Sequence, residues 1–160
     1  MNQQILEEAV RRLLSALEAV GESLAAQTVR AECSGPPHRQ PSSQPGGMPA
    51  VYAFFYKERC LKCGQVGPNS APRYTSQHYN PNSSNSNLAA TLLERGREIE
   101  LSEFSRDNIG EWIKSNTARA NVLLPTTISK RTLNFAEAFF HILWKPVFEG
   151  REWRDWLKSL

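Results

Sequence analysis

Residues 50 to 78 read AVYAFFYKERCLKCGQVGPNSAPRYTSQH, and this stretch decides the fold. Val51, Ala53 and Phe55 alternate with Tyr52, Phe54 and Tyr56, the period of two expected of a strand whose faces meet different surroundings. A second run, Cys60 to Val66, returns after Lys57-Glu58-Arg59. With those three residues as the loop, Tyr56 faces Cys60, Phe54 faces Lys62 and Tyr52 faces Gly64. Tyr52 and Lys62 then share one surface as diagonal neighbours, with a side-chain-free glycine beside them. Beyond the hairpin, Ser70 is placed to cap a short helix that accepts Pro72 in its first turn. That helix carries Arg73, Gln77 and His78 close to the loop between Gly64 and Gly67.

Towards the amino terminus, Ile5, Ala9, Val10, Leu13, Leu14, Leu17, Val20 and Leu24 recur at helical spacing and predict an amphipathic helix or helical hairpin broken near Gly21. Its apolar stripe serves packing on its own domain, self-association or a nucleic-acid arm. Residues 34 to 48, SGPPHRQPSSQPGGM, are rich in proline, glycine and serine and predict a linker or loosely held strap. Towards the carboxyl terminus, residues 80 to 87 form a polar loop, and Leu88, Leu92 and Leu93 start a helix that stops at Gly96. Ser105, Asn108 and Ile109 predict a helix through Trp112 and Ile113, and Ala120 to Leu124 a third strand. A long helix from about Thr132 to Trp144 ends before Pro146. Trp153, Trp156 and Leu157 at helical spacing predict a packing element in the tail.

Glu137 is the sole acid of that long helix. Leu133, Phe140 and Trp144 lie four before, three after and seven after it, and neither residue four positions away is Lys or Arg. A carboxylate bordering an apolar surface calls for a compensating cation, which a divalent metal supplies. A single carboxylate suits a magnesium ion held also by waters and phosphate oxygens.

The chain has 160 residues, a net charge of +3 and three cysteines. This suits one compact domain with an appendage. A charge so mild does not by itself establish a polyanionic partner, and three cysteines make no disulfide framework. With Glu7 and Glu8 in it, the amino-terminal stretch lacks the form of a secretory signal, and no apolar run has the length of a membrane span. A reduced, cytoplasmic protein is expected. Cys60-Leu61-Lys62-Cys63 has no second paired motif to complete four zinc ligands, and on a regular strand its sulfurs would point to opposite faces. His38, His78 and His141 are scattered.

Ala50-Val51-Tyr52, Lys62-Cys63-Gly64, Arg73 and Glu137, in that order, resemble the motifs of the GIY-YIG nuclease superfamily over roughly the last two thirds of the chain. Ala50 replaces the first glycine of the family's name and Lys62 its second tyrosine. Lysine at that place also occurs in members resembling type II restriction enzymes. The resemblance implies an α/β (α+β) fold with a small three-stranded, largely antiparallel sheet flanked by helices. With a helical segment over 1–33 and a linker over 34–48 read from the residues themselves, the resemblance makes residues 49–160 a nuclease domain. It further implies a metal-dependent endonuclease that hydrolyses DNA, with Mg2+ or Mn2+ held by Glu137. Tyr52, made more acidic by nearby cations, would be the base or would orient water. Lys62 would lower the pKa of Tyr52 or of the water, and Arg73 would grip the scissile phosphate. His78 takes the place of a histidine that many relatives carry shortly after the arginine. The asparagine that many relatives carry beyond the helix-ending proline is replaced here by Phe148 or Glu149. Duplex DNA is the expected substrate and a homodimer the expected assembly, with the amino-terminal helix as its candidate interface. Two other readings stand beside it. One is a nuclease of single strands, RNA or repair intermediates in phage defence or mobile elements; the other is a binding module without turnover.

Overall fold

The structure, a computed structural model, describes residues 1–68, 70–84, 87–101 and 103–148. Glu149 and the tail readings at Trp153, Trp156 and Leu157 fall outside them. The elements run α1 (Gln3–Ala19), β1 (Arg30–Ser34), β2 (Ala50–Tyr56), β3 (Arg59–Val66), α2 (Ala71–Thr75), α3 (Leu88–Arg95), α4 (Ile109–Asn116), β4 (Thr117–Leu123) and α5 (Lys130–Trp144). This is an α+β architecture around one antiparallel sheet of order β1-β4-β2-β3. Four strands replace the expected three. The added strand is Arg30–Ser34, which pairs with β4 across some ninety residues of chain; only Ala31 and Cys33 of its five residues are apolar, and both are only partly buried against the core. Such a long-range pairing leaves little local trace in the sequence.

The sheet separates two cores. Val51, Ala53, Phe55, Cys63, Ala118, Ala120 and Val122 face α1 and α5, whereas Ala50, Tyr52, Phe54, Val66 and Leu123 face the layer of α2, α3 and α4. The stripe of α1 is centred on Leu6, Ala9, Val10, Leu13 and Leu17, all buried, while Ile5 and Val20 are exposed. Its apolar face is therefore occupied by the sheet. The helix stops at Ala19, two residues before Gly21, whose φ of 82° is readily adopted only by glycine.

The hairpin between β2 and β3 is tighter than three loop residues would make it. Tyr56 pairs with Arg59, leaving Lys57-Glu58 as a two-residue turn with Lys57 at a φ of 54°. A bulge then absorbs one residue: Phe55 pairs with Cys60 and Phe54 with Lys62, leaving Leu61 extra. Beyond the bulge the expected partners, Phe54 with Lys62 and Tyr52 with Gly64, are in register. The bulge also corrects the reading of the two cysteines. Cys60 and Cys63 both lie in the core shared with α1 and α5, because the inserted residue restores the same face after three positions.

The 34–48 stretch is a strap tied at several points. The backbone N–H of His38 donates to the Lys114 carbonyl at 2.9 Å, and the Gln44 amide donates to the carbonyls of Met48 and Gly67 at 2.6 and 2.9 Å. At the far side, α5 is capped by Ser129, whose hydroxyl accepts from the Thr132 N–H, and ends at Lys145 in the left-handed region just before Pro146. Val147 and Phe148 then donate to the carbonyls of Cys60 and Leu61, covering part of the β3 edge.

Candidate active site

Tyr52 is wholly buried at the centre of β2, opposite Gly64 on one neighbour and Asn121 on the other. Its ring lies across Gly64. A Cβ added there would come within 2.6 Å of the phenol oxygen and 2.9 Å of Cζ. The glycine is thus needed for close approach: only a residue without a side chain lets the phenol cross β3 and meet α2. There the Arg73 Nε–H donates to the Tyr52 Oη at 3.2 Å. The accepting oxygen keeps its own proton available for donation.

Lys62 shares this face, one pair of residues along from Gly64, and is only 7% exposed. Burial, reinforced by the charge of Arg73, lowers its pKa to about 8. Tyr52 moves the other way. Burial raises the phenol pKa and outweighs the opposing pull of Arg73. The expectation of a more acidic tyrosine is therefore corrected: the site lacks the solvent that would stabilise a phenolate. Arg73 is pushed up by Tyr52 first and also by Glu137, which brings the carboxylate of α5 into the same electrostatic neighbourhood.

His78 lies beneath Tyr52, ring centroids 4.7 Å apart, and packs against Phe54 at 5.4 Å. Its Nδ1 accepts from the Leu88 N–H at 3.2 Å, so the neutral ring carries its proton on Nε2. Burial, with the charges of Lys62, Arg119 and Arg73, pushes its pKa well below the ordinary value. Nε2 is buried without a partner. His78 therefore acts as a neutral support under Tyr52. Ser70 occupies the cap position of α2 but makes no side-chain cap bond.

Glu137 is half-buried on α5, one turn after Asn134, whose amide oxygen accepts from Gln65 Nε2 at 2.9 Å. Gln65 immediately follows Gly64, and its Oε1 is buried without a partner. Among the described residues no group of three or more His, Cys, Asp or Glu side chains is placed to hold a metal. That donor set does not fit zinc or a multi-carboxylate calcium site. One carboxylate, with an orphaned amide oxygen near its helix, fits magnesium, which keeps several waters and takes phosphate oxygens.

Arg119, Asn121, Tyr79 and His38 also belong to this layer and escaped the sequence reading. Arg119 and Asn121 share the face of Tyr52 because they alternate with Ala118, Ala120 and Val122 in ARANV, a period-two signal present in the sequence. No family model matches the chain, and no curated protein or solved structure is significantly similar to it.

Proposed function

We propose that this chain is a metal-dependent endonuclease of GIY-YIG type that hydrolyses DNA phosphodiester bonds, acting as a type II restriction-like enzyme on duplex DNA. The single observation that carries the reading is Arg73 donating to Tyr52 across the bare backbone of Gly64, beside a buried Lys62. Tyr52, Lys62 and Arg73 converge on one face of the sheet, and in this reading they would act together on a phosphate and an attacking water.

Arg73 presents the rest of its planar fork to the scissile phosphate and offsets charge as it develops on the transferring group. Tyr52, held by Arg73 and supported by His78, donates its hydroxyl proton and orients the water or a phosphate oxygen. The proton acceptor is Lys62. Its pKa of about 8 lies near a working pH, whereas burial takes the phenol away from it. Glu137 would hold Mg2+ or Mn2+, which supplies charge neutralisation at the leaving oxyanion.

The test is cleavage of plasmid duplex and of a single-stranded oligonucleotide with Mg2+, by the parent protein and by Glu137→Ala. Discrete duplex fragments, reduced by at least about 100-fold in the variant, are expected. Equal cleavage by both proteins would remove Glu137 from the mechanism. A folded protein that binds duplex without cutting either substrate would overturn the enzymatic reading in favour of a binding module.

A further inference from the structure

Arg73 sits on α2, five residues long, with no side-chain cap at its amino end. A helix this short does not hold itself together in water. Its position relative to Tyr52 must be imposed from outside; Tyr74 is buried in the core, and Arg119 reaches the helix backbone beside it. The Arg119 Nη2–H donates at 2.6 Å to the carbonyl of Tyr74, the residue that follows Arg73. The guanidinium carbon also lies 4.8 Å from the Tyr74 ring centroid. Arg119 is fixed in turn by Nε donating to Asn121 Oδ1 and Nη1 donating to Tyr79 Oη, both at 3.0 Å.

The network continues into the strap. His38 Nδ1 lies 2.7 Å from the Thr117 carbonyl, which can only accept, so Nδ1 carries the ring proton of the neutral imidazole and Nε2 is an acceptor. The Tyr79 hydroxyl, 2.9 Å from that Nε2, therefore donates to His38 and receives from Arg119. Every hydrogen bond in this line has one donor and one acceptor. Arg119 is 1% exposed and, among the described residues, has no ion-pair partner. A buried cation without a counter-ion is costly for stability, and an apolar residue of similar size would serve a core at least as well.

We infer that His38, Tyr79 and Arg119 form a positioning line that sets Arg73 against Tyr52, coupling the 34–48 strap to the candidate active site. Its consequence for catalysis rests on the nuclease reading; its consequence for the Arg73–Tyr52 geometry does not. Arg119 and Tyr79 touch no reacting atom in this scheme. They act through α2.

Two variants of the full chain separate the possibilities: Tyr79→Phe, which removes one oxygen and keeps the ring, and Arg119→Met. The first readout is the Arg73 side-chain Nε–H resonance, assigned by its loss in Arg73→Lys. Both variants are expected to shift it and speed its exchange with water, while backbone amides of β2, β3 and α5 keep their positions. An Nε–H signal unchanged in both would overturn the inference. The second readout is plasmid cleavage with Mg2+. Tyr79→Phe is expected to lower kcat by about tenfold or more with KM within about twofold, as misplacement of a transition-state contact requires. In an Arg73→Ala background the same change is expected to cost nothing further, because the line works through Arg73. Equal losses in both backgrounds, tracking a fall in Tm, would reduce Tyr79 and Arg119 to general supports of the fold and overturn the inference. Should the parent protein cleave nothing, the nuclease reading fails and the resonance alone decides the positioning line.

Discussion

At Lys62 burial and chemistry pull against each other. The folded protein lowers its pKa from 10.5 to about 8, so between those values the unfolded chain binds the proton more tightly. The folded state carries the full penalty below about pH 8 and sheds it as pH rises towards 10.5. Lys62→Met is therefore expected to stabilise the protein at pH 7 by up to about 3 kcal/mol, with the gain fading as pH approaches 10.5. Denaturant unfolding of both proteins at the two pH values checks it; a variant less stable than the parent at pH 7 would contradict a costly buried ammonium. The same group sets a kinetic expectation. With neutral Lys62 as proton acceptor, kcat/KM rises with pH and levels off above an inflection near pH 8. A rise continuing past pH 10 would return the role to Tyr52. Gly64 makes a second residue-scale case. A methyl group there meets the phenol at 2.6 Å, and the ring cannot retreat freely because His78 and Phe54 pack against it. Gly64→Ala is expected to lower cleavage by about 100-fold. Its accompanying loss of stability should stay within about 1–3 kcal/mol, measured by denaturant titration.

The elements differ in how openly the sequence declares them. The β2–β3 hairpin and α5 announce themselves because their periodicities are local and their ends are marked, by Lys57-Glu58 on one side and by Ser129 and Pro146 on the other. The pairing of Tyr52 with Gly64 was readable from the same alternation. The two-residue turn and the bulge cancel each other's effect on that register, so a three-residue loop predicted the right partners beyond it for the wrong local reason. Strand β1 was missed: Val29, Ala31 and Cys33 alternate with Arg30, Glu32 and Ser34, but the run is short and half-exposed and its partner lies far away in the chain. The strap over 34–48 was readable from its composition as a linker or strap, but its anchoring was not: His38 holds it through bonds to Thr117 and Tyr79 that no local pattern encodes. The amino-terminal elements nonetheless carry weight in the fold. Leu13 of α1 is wholly buried in the core formed with β2, β4 and α5. Leu13→Ala is expected to cost about 2–5 kcal/mol, measured by chemical denaturation. A cost under about 0.5 kcal/mol would mean that α1 is a detachable appendage.

At the scale of the whole molecule, one chain brings together one cluster of Tyr52, Lys62, Arg73 and Glu137, while duplex DNA offers two antiparallel strands. If the proposed activity holds, cutting both at one place would call for two such clusters related by the two-fold symmetry of the duplex, and hence for two chains. The apolar stripe of α1 is spent on its own sheet, which leaves little of it for self-association. What remains outside is smaller: Ile5, Val20 and Ile142 are exposed, and the hollow between α1 and α5 mixes Ile5, Ala9, Leu143 and Trp144 with the polar Gln4, Glu8, Arg11 and Arg12. On the proposed nuclease reading, an assembly built on so little apolar surface would be weak without DNA, and the duplex would gather the second chain. Supercoiled plasmid is then expected to pass through a nicked circle. Nicking should rise in proportion to protein concentration, and linear product with its square, at concentrations where the free protein sediments as a monomer. Time courses over a tenfold range of protein decide the matter. Linear product that rises in simple proportion to a monomeric protein would mean that one cluster cuts both strands in turn, and the paired arrangement would have to be abandoned.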